Sequence, residues 1–207
     1  MLLAEAPAQA AVTGTAADPR ARLISAMART LAAKGYAELT IADVVAEAGV
    51  SRRTFYEHFD GKPACFIALY QAATHQSLNV LRQALDPARP WHAQVPAVLG
   101  AYLGTLAASP ALTRTLLVEV LQLGTEGLVA RRRAHEELAT LVAAIVNAAP
   151  QGQGPSSSLT QDLALAIVGG IHELVLARIE AGETAAIGEL TRSAAEFVLR
   201  VAGSRAA

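Results

Sequence analysis

The chain has 207 residues, a formal net charge of −1 and a sequence pI of about 6.5, with 53% hydrophobic and 17% charged residues. This length suits one compact core or two small ones, and the composition supplies enough apolar side chains to fill them. The neutral balance argues against a protein that coats nucleic acid nonspecifically, because such domains usually carry a strong basic excess. Any nucleic-acid binding has to come from a local basic patch.

The N-terminal segment and the single cysteine indicate where the protein works. Residues 1–17 are rich in Ala, Thr, Pro and Gly without a periodic apolar face, so we expect a disordered tail. This segment has no basic n-region, and no apolar run in the chain is as long as a membrane span. Cys65 is the sole cysteine, and a small buried hydrophobic residue is favoured over a redox sensor. We expect a cytoplasmic protein without a membrane partner.

The first predicted helix covers residues 18–34, since an Asp-Pro pair opens it and Gly35 follows it. Leu23, Met27 and Leu31 recur every four residues and form an inner stripe. This stripe is expected to pack on the next two helices and complete a three-helix unit.

Residues 40–59 predict two short helices joined by a tight turn. Thr40 is a favourable N-cap, and Gly49 stands where the first of these helices ends. Ser51 caps the second helix, which covers residues 52–59. Two helices joined by a short turn that contains glycine form the helix-turn-helix, whose second helix enters the DNA major groove.

The second helix of this motif has two faces. Phe55 and Phe59 are four residues apart and lie on the buried side, whereas Arg52, Arg53 and Tyr56 point elsewhere. Residues near the N-terminus of a recognition helix contact base edges, and arginine offers a fork of donors to guanine or phosphate. The alternative, a solvated basic patch, would be favoured for an isolated arginine pair. Here the pair accompanies capped helices, a turn glycine and an aromatic inner face.

Lys62 stands at the predicted start of the next helix, where its charge opposes the helix macrodipole. A phosphate would resolve this conflict, because phosphate favours both a helix N-terminus and a lysine. A paired or buried structural role for Lys62 is the alternative.

Apolar periodicity and Pro or Gly boundaries divide the rest of the chain into helices. The helix from 62 to about 85 extends out of the three-helix unit and is the expected lever between the two parts. Adjacent glycines, Gly169 and Gly170, cost roughly 1 kcal/mol each within a helix, so another helix is expected to approach closely there. Further helices are predicted at about 92–107, 111–123, 125–148, 159–181 and 183–202, with a flexible loop at 149–158.

Catalytic and cofactor motifs are incomplete. Two His-Glu pairs, at 135 and 172, each begin a zinc-protease pattern, but the required second histidine is missing at 139 and 176. The sequence has no phosphate-binding loop, no dinucleotide motif in the required context and no nucleophile elbow. We therefore expect no enzyme, no metal and no cofactor.

Residues from about 20 to 70 resemble the DNA-binding domain of the TetR (tetracycline repressor) family of bacterial transcriptional regulators. The resemblance implies an all-α fold with a three-helix DNA-binding domain at 18–62 and a helical effector-binding and dimerisation domain at 63–207. Beyond residue 70 it supports only this architecture. It rests, in chain order, on Lys34-Gly35-Tyr36, Leu39-Thr40-Ile41, Ala48-Gly49-Val50-Ser51, Thr54-Phe55-Tyr56, His58-Phe59 and Lys62.

The resemblance also implies roles for groups of residues. The two C-terminal helices resemble the dimer interface of the family, a four-helix bundle from two subunits, with core packing inside one subunit as the alternative. The candidate interface residues are Leu163, Ile167, Ile171, Leu174, Phe197 and Val201. The expected DNA-binding set combines base contacts by Arg52, Arg53 and Tyr56 with further contacts, mostly to phosphates, by Thr40, Ser51, Thr54, Tyr56, His58 and Lys62.

A small-molecule effector is expected to bind among the helices that follow the lever. Aromatic residues are scarce after residue 85, so the pocket is expected to be aliphatic and the effector apolar. The candidate contacts are Trp91, Tyr102 and Glu119. Glu119 lies in the apolar run 116–123, and if buried it needs one of Arg131 to Arg133, or a polar group on the effector, as a partner.

Together these patterns predict a homodimeric, sequence-specific DNA-binding repressor that occupies a pseudo-palindromic operator and is released by a small molecule. The sequence does not separate a repressor from an activator. The rival interpretation is a dimeric helical ligand-binding or partner-binding module without specific DNA binding. The intact set Arg52, Arg53, Thr54, Tyr56 and Lys62 argues against it.

Overall fold

The computed structural model describes residues 18–86, 88–148 and 158–203, which form nine α-helices and two 3-10 helices and contain no β-strand. The all-α prediction is confirmed for these ranges, whereas the predicted tail at 1–17 and nearly all of the loop at 149–158 lie outside them. The helices are α1 (Pro19–Glu38), α2 (Ile41–Ala48), α3 (Arg52–His58), α4 (Lys62–Gln83), α5 (Trp91–Ala108), α6 (Pro110–Val118), the 3-10 helix η1 (Glu119–Leu123), α7 (Thr125–Asn147), α8 (Gln161–Glu180), the 3-10 helix η2 (Thr184–Leu190) and α9 (Thr191–Gly203).

Helix α1 begins and bends where the sequence signals stand. The Asp18 carboxylate accepts a hydrogen bond from the Arg20 N–H at 2.9 Å, which caps the helix N-terminus. Gly35 has φ 74° and ψ 167°, so regular helical geometry is interrupted there. Helix α1 then continues to Glu38, whereas the sequence predicts that it ends at residue 34.

The segment predicted as one helix at 111–123 divides into α6 and η1. A Cβ atom on Gly127 would lie 1.8 Å from the carbonyl oxygen of Val120, so the first turn of α7 lies directly against the η1 backbone. This close approach depends on a glycine eight residues beyond the start of η1. The prediction of a single continuous helix was wrong, because the α-helix ends at Val118 and Glu119–Leu123 form a 3-10 helix.

The segment predicted as one helix at 183–202 likewise begins with the 3-10 helix η2. Its buried residues Thr184, Ile187 and Leu190 are spaced by three. A 3-10 helix has three residues per turn, so this spacing places all three on one side, against the core.

The described residues bury two apolar clusters. The first contains the predicted stripe of α1 and the aromatic inner face of α3, but it also contains Leu116, Val120 and Ala134 from α6, η1 and α7. The second is formed mainly by α5, α7, α8, η2 and α9, with Leu103 and Ile167 fully buried. Helices beyond α4 thus share a continuous core with the helix-turn-helix.

The close helix approach predicted at the paired glycines is confirmed at one of them. A Cβ atom on Gly170 would lie 2.9 Å from the ring of Phe197, whereas one on Gly169 would meet nothing within 4 Å. Helices α8 and α9 of the same chain therefore approach each other at Gly170.

No single helix in the described ranges is long and apolar enough to cross a bilayer. Helix α5 and the α6–η1 segment are long and apolar enough only when taken together, and their axes are bent by 97° relative to each other.

Candidate nucleic-acid interface and ligand cavity

The start of α2 is fixed by reciprocal hydrogen bonds between Thr40 and Asp43. The Thr40 hydroxyl accepts from the Asp43 N–H at 3.2 Å, and the Asp43 carboxylate accepts from the Thr40 N–H at 2.9 Å. Hydrogen bonds from Lys34 and then from Thr40 lower the pKa of Asp43 to about 2. Thr40 itself is exposed at the helix N-terminus, a position compatible with the expected phosphate contact.

The turn of the helix-turn-helix is held by Gly49 and by an arginine from α1. Gly49 has φ 62° and ψ 41°, the left-handed conformation that ends α2. Arg22 Nη2 donates to the carbonyl oxygens of Ala48 at 2.6 Å and Gly49 at 2.9 Å. Its charge lies at the C-terminus of α2, where the macrodipole favours a cation. No local sequence pattern joins residues 26 positions apart, so this role of Arg22 was not predicted from the sequence.

Helix α3 presents the two faces that the sequence predicted. Phe55 and Phe59 are 0% and 5% exposed, and their ring centroids lie 5.7 Å apart. Tyr56 is 57% exposed on the other side, and Arg52 and Arg53 are also exposed. A short helix is thus anchored by two aromatic side chains while its basic and phenolic groups face outward.

Further polar groups surround these outward residues. The Ser51 hydroxyl accepts from the Thr54 N–H at 3.0 Å and caps α3. Arg53 Nε donates to a Glu57 carboxylate oxygen at 3.1 Å, but the Arg53 side chain is 90% exposed. Such an exposed ion pair contributes little to stability, so opening it costs little. His58 is exposed at the end of the helix.

Lys62 is engaged by the end of α1. Its Nζ donates to the carbonyl oxygens of Tyr36 at 2.8 Å and Leu39 at 2.9 Å, and it lies 4.2 Å from the centroid of the Tyr36 ring. This geometry matches the structural role considered as the alternative. A lysine amine has three donors, and the phosphate contact remains a prediction for the third.

A second candidate site is a cavity of about 470 Å³ among α4, α5, α7, α8 and α9. This volume lies within the range of small-molecule pockets. Arg89 and Gln94 are the charged and amide side chains at its wall, but Gln94 is already hydrogen-bonded to the backbone of Asp86 and Arg89. The apolar lining includes Leu81, Trp91, Val98, Val142, Ile167 and Ile171.

Of the three predicted effector contacts, Trp91 alone lines this cavity. The Tyr102 hydroxyl is hydrogen-bonded to His172 Nε2 at 2.7 Å, and His172 Nδ1 lies 2.7 Å from His135 Nε2. Burial, followed by the nearby charge of Arg131, lowers the pKa of His135 to about 4. Burial, then His135 and Arg131, lowers the pKa of His172 to about 3. These side chains form a buried polar chain across α5, α8 and α7.

Glu119 does not line the cavity, and its partner differs from those predicted from the sequence. Its Oε2 accepts a hydrogen bond from the backbone N–H of Tyr36 at 2.6 Å. The predicted partners on α7, Arg131 to Arg133, are not bonded to it among the described residues. A contact across 83 residues leaves no signature in the local sequence.

The predicted dimer-interface residues separate into two groups. Ile167 and Ile171 are buried within the subunit, 0% and 6% exposed, and line the cavity, so they are not on an outer face. The prediction failed for these two because α8 is apolar on both sides and periodicity alone does not select the outer one. Leu163 is 45% exposed, and Leu174, Phe197 and Val201 are partly exposed, so these four remain available to a partner.

The described residues do not form a candidate metal site. No group of three or more His, Cys, Asp or Glu side chains is close enough there to hold a metal ion. Cys65 is buried, and burial raises the pKa of its thiol to about 12, which disfavours the reactive thiolate.

The sequence of the helix-turn-helix region matches a known family. Residues 23–69 match the family described as bacterial regulatory proteins, tetR family. No match was found among curated proteins.

Solved structures resemble the chain over most of its length. The FadR transcriptional regulator of Bacillus subtilis, in complex with stearoyl-CoA, is 19% identical with a TM-score of 0.74, covering 89% of this chain and 98% of that one. The regulatory protein TetR of Rhodobacter sphaeroides is 22% identical with a TM-score of 0.65, covering 84% and 96%. The multidrug binding protein EbrR, complexed with imidazole, is 21% identical with a TM-score of 0.63, covering 91% and 97%. These similarities show a common fold.

Proposed function

Because residues 23–69 match the tetR family of bacterial regulatory proteins, we propose that the chain is a sequence-specific repressor of transcription. In this proposal a homodimer occupies a pseudo-palindromic operator, and a small-molecule effector releases it. The observation that carries the proposal is the outward face of α3. Arg52, Arg53 and Tyr56 are exposed there, on a helix anchored by Phe55 and Phe59.

The recognition step follows from this geometry. The guanidinium groups of Arg52 and Arg53 offer forked donors to guanine edges in the major groove, and Tyr56 lies on the same outward side. Phosphates on either side would be bound by the N-terminus of α2 at Thr40 and by Thr54, Tyr56, His58 and Lys62. Few phosphate contacts per subunit predict a moderate loss of affinity with rising salt.

The dimer supplies the second half-site. Leu163, Leu174, Phe197 and Val201 lie on α8 and α9 with exposed or partly exposed side chains. A four-helix bundle formed by α8 and α9 of two subunits would cover them, and it would place two α3 helices a fixed distance apart.

The effector would occupy the cavity between α4 and the later helices. The mostly aliphatic lining supports an apolar ligand, and Arg89 at the wall supports an anionic group at one end. The related fold of the FadR protein holds stearoyl-CoA, a ligand that also combines a long acyl chain with anionic groups. Because α4 both lines the cavity and begins at the helix-turn-helix, a ligand that moves α4 would change operator affinity, by roughly 5–150-fold for a typical allosteric coupling.

A gel-shift titration tests the DNA-binding function. Purified protein is titrated onto DNA flanking its own gene, with excess nonspecific competitor, for wild type and for the double variant Arg52→Ala, Arg53→Ala. We expect a discrete shift that survives competitor in wild type, and at least tenfold weaker binding in the variant, because each bidentate contact contributes about 1–3 kcal/mol.

The matched control is the double variant Arg132→Ala, Arg133→Ala on α7, which removes the same charge from outside the helix-turn-helix. It is expected to bind within twofold of wild type. If the α3 variant binds as tightly as wild type, base recognition by these arginines is wrong. If wild type binds neither this DNA nor any sequence selected from random DNA, the ligand-binding module without specific DNA binding becomes the better interpretation.

A further inference from the structure

The backbone of Tyr36 is hydrogen-bonded to side chains from two different elements, η1 and α4. Its N–H donates to Glu119 Oε2 at 2.6 Å, and its carbonyl oxygen accepts from Lys62 Nζ at 2.8 Å. The Tyr36 ring stacks on Phe66 of α4, with centroids 5.1 Å apart. A single residue thus contacts η1 through its N–H and α4 through its carbonyl and its ring.

Tyr36 is placed where the helix-turn-helix joins α1. Gly35, with φ 74°, interrupts the helical geometry of α1 immediately before it, and a Cβ on Gly35 would lie 3.4 Å from Glu119 Oε1. Helix α2 begins five residues after Tyr36, at Ile41. A backbone rotation at this hinge would therefore change how α2 and α3 are oriented relative to α1.

Glu119 is itself fixed to the later helices. It is the first residue of η1, directly after α6, and its neighbour Val120 is 0% exposed in the cluster that contains Phe55 and Phe66. The first turn of α7 packs on the Val120 carbonyl at Gly127. A shift of α6 or α7 would therefore move the Glu119 carboxylate relative to the hinge.

We propose that Glu119 is a positioning residue that couples the position of α6 and α7 to the orientation of the helix-turn-helix, through the backbone of Tyr36. This link acts in parallel with the α4 lever, which reaches the same residue through Lys62. The inference rests on the proposed DNA-binding function. The hinge contact itself can be measured without DNA.

Three variants at one position separate the hydrogen bond from the charge. Glu119→Ala removes the carboxylate, and Glu119→Asp keeps the charge but shortens the side chain by one methylene. Glu119→Gln keeps an acceptor oxygen at the same reach. The matched control is Glu126→Ala. Burial, and then the charge of Glu126, raise the pKa of Tyr36, but no hydrogen bond joins Glu126 to Tyr36 among the described residues.

The first measurement is amide hydrogen exchange at Tyr36 in the free protein. The second is the dissociation constant for the DNA duplex that the wild-type protein shifts. We expect Glu119→Ala and Glu119→Asp to accelerate exchange at Tyr36 at least tenfold and to weaken DNA binding at least fivefold, because a loosened hinge has to be ordered on binding. Glu119→Gln and Glu126→Ala are expected to stay within threefold and twofold of wild type, respectively, in both measurements.

Three results would overturn the proposal. The hydrogen bond is refuted if exchange at Tyr36 is unchanged in both Glu119→Ala and Glu119→Asp. The coupling is refuted if exchange accelerates while DNA affinity stays equal to wild type or rises. A Glu126→Ala variant that weakens binding as much as Glu119→Ala would assign the effect to charge alone. A wild-type protein that binds no DNA would instead refute the proposed function. The exchange measurement would still show whether the hydrogen bond between Glu119 and Tyr36 forms.

Discussion

Gly127 sets how closely the first turn of α7 approaches η1. A Cβ atom there would lie 1.8 Å from the Val120 carbonyl oxygen, a distance at which the backbone has to move. We therefore expect Gly127→Ala to lower the free energy of unfolding by about 1–3 kcal/mol, the usual range for an overpacked site, as measured by urea denaturation.

Gly104 provides the matched control for this prediction. It lies inside α5, and a Cβ atom there would meet nothing within 4 Å. Gly104→Ala is expected to raise the free energy of unfolding by roughly 0.5–1 kcal/mol, because alanine favours the helix. A Gly127→Ala protein as stable as wild type would show that η1 and α7 can separate without cost.

The residue-level predictions that held were those encoded locally. The caps at Asp18, Thr40 and Ser51 and the left-handed Gly49 depend on side chains within three residues of the helix ends, so their patterns are visible in the sequence. The partner of Glu119 was missed, because packing of η1 against α1 brings together residues that are 83 positions apart.

At the scale of helices, periodicity located the elements but did not select between their faces. Helix α8 carries apolar residues on both its buried and its exposed sides, so the sequence predicts a dimer contact at Ile167 and Ile171, which lie on the buried side. Residues 111–123 divide into α6 and η1, and the η1 backbone lies against Gly127 of the next helix. Both outcomes are decided by tertiary packing, which overrides local preference.

The buried polar chain across α5, α8 and α7 makes stability depend on pH. His135 and His172 have folded-state pKa values of about 4 and about 3, whereas the ordinary value is 6.5. Between pH 6.5 and 4.5 the unfolded chain therefore binds protons that the folded protein does not. Stability is expected to fall as the pH falls through this window, with a slope of at most about 2.7 kcal/mol per pH unit for two histidines.

Urea denaturation at several pH values measures this slope. The matched control is His92→Gln, because His92 is exposed and lies outside the buried polar chain. The triple variant Tyr102→Phe, His135→Leu, His172→Leu replaces all three partners by apolar groups and is expected to flatten it. Asp43 has a pKa of about 2, so its contribution to stability changes below the window of pH 6.5 to 4.5. An equal slope in the triple variant and in wild type would contradict this assignment.

At the scale of the whole molecule, the cavity and the helix-turn-helix are connected twice. Helix α4 lines the cavity through Leu81 and holds Tyr36 through Lys62. Helix α7 lines the cavity through Val142 and packs on η1 at Gly127, next to Glu119. Under the proposed function, a ligand that displaces either helix would act on the same hinge residue, and both routes would have to be altered to uncouple the cavity from DNA binding.

The cavity is expected to favour an apolar chain that ends in an anion, because aliphatic side chains form most of its wall and Arg89 is the charged group there. Dodecanoate and dodecanol share the chain and differ in the anionic end, so thermal unfolding with each compound isolates the contribution of Arg89. At tenfold excess over its dissociation constant, dodecanoate would stabilise the protein by about 1.4 kcal/mol. For a protein of this size the unfolding temperature would rise by about 3–6 °C.

Dodecanol is expected to give a smaller rise, and Arg89→Ala should make the two compounds equivalent by weakening dodecanoate alone. Equal stabilisation of the wild-type protein by both compounds would exclude Arg89 from ligand binding, whereas stabilisation by neither would show that the cavity does not accept such a chain.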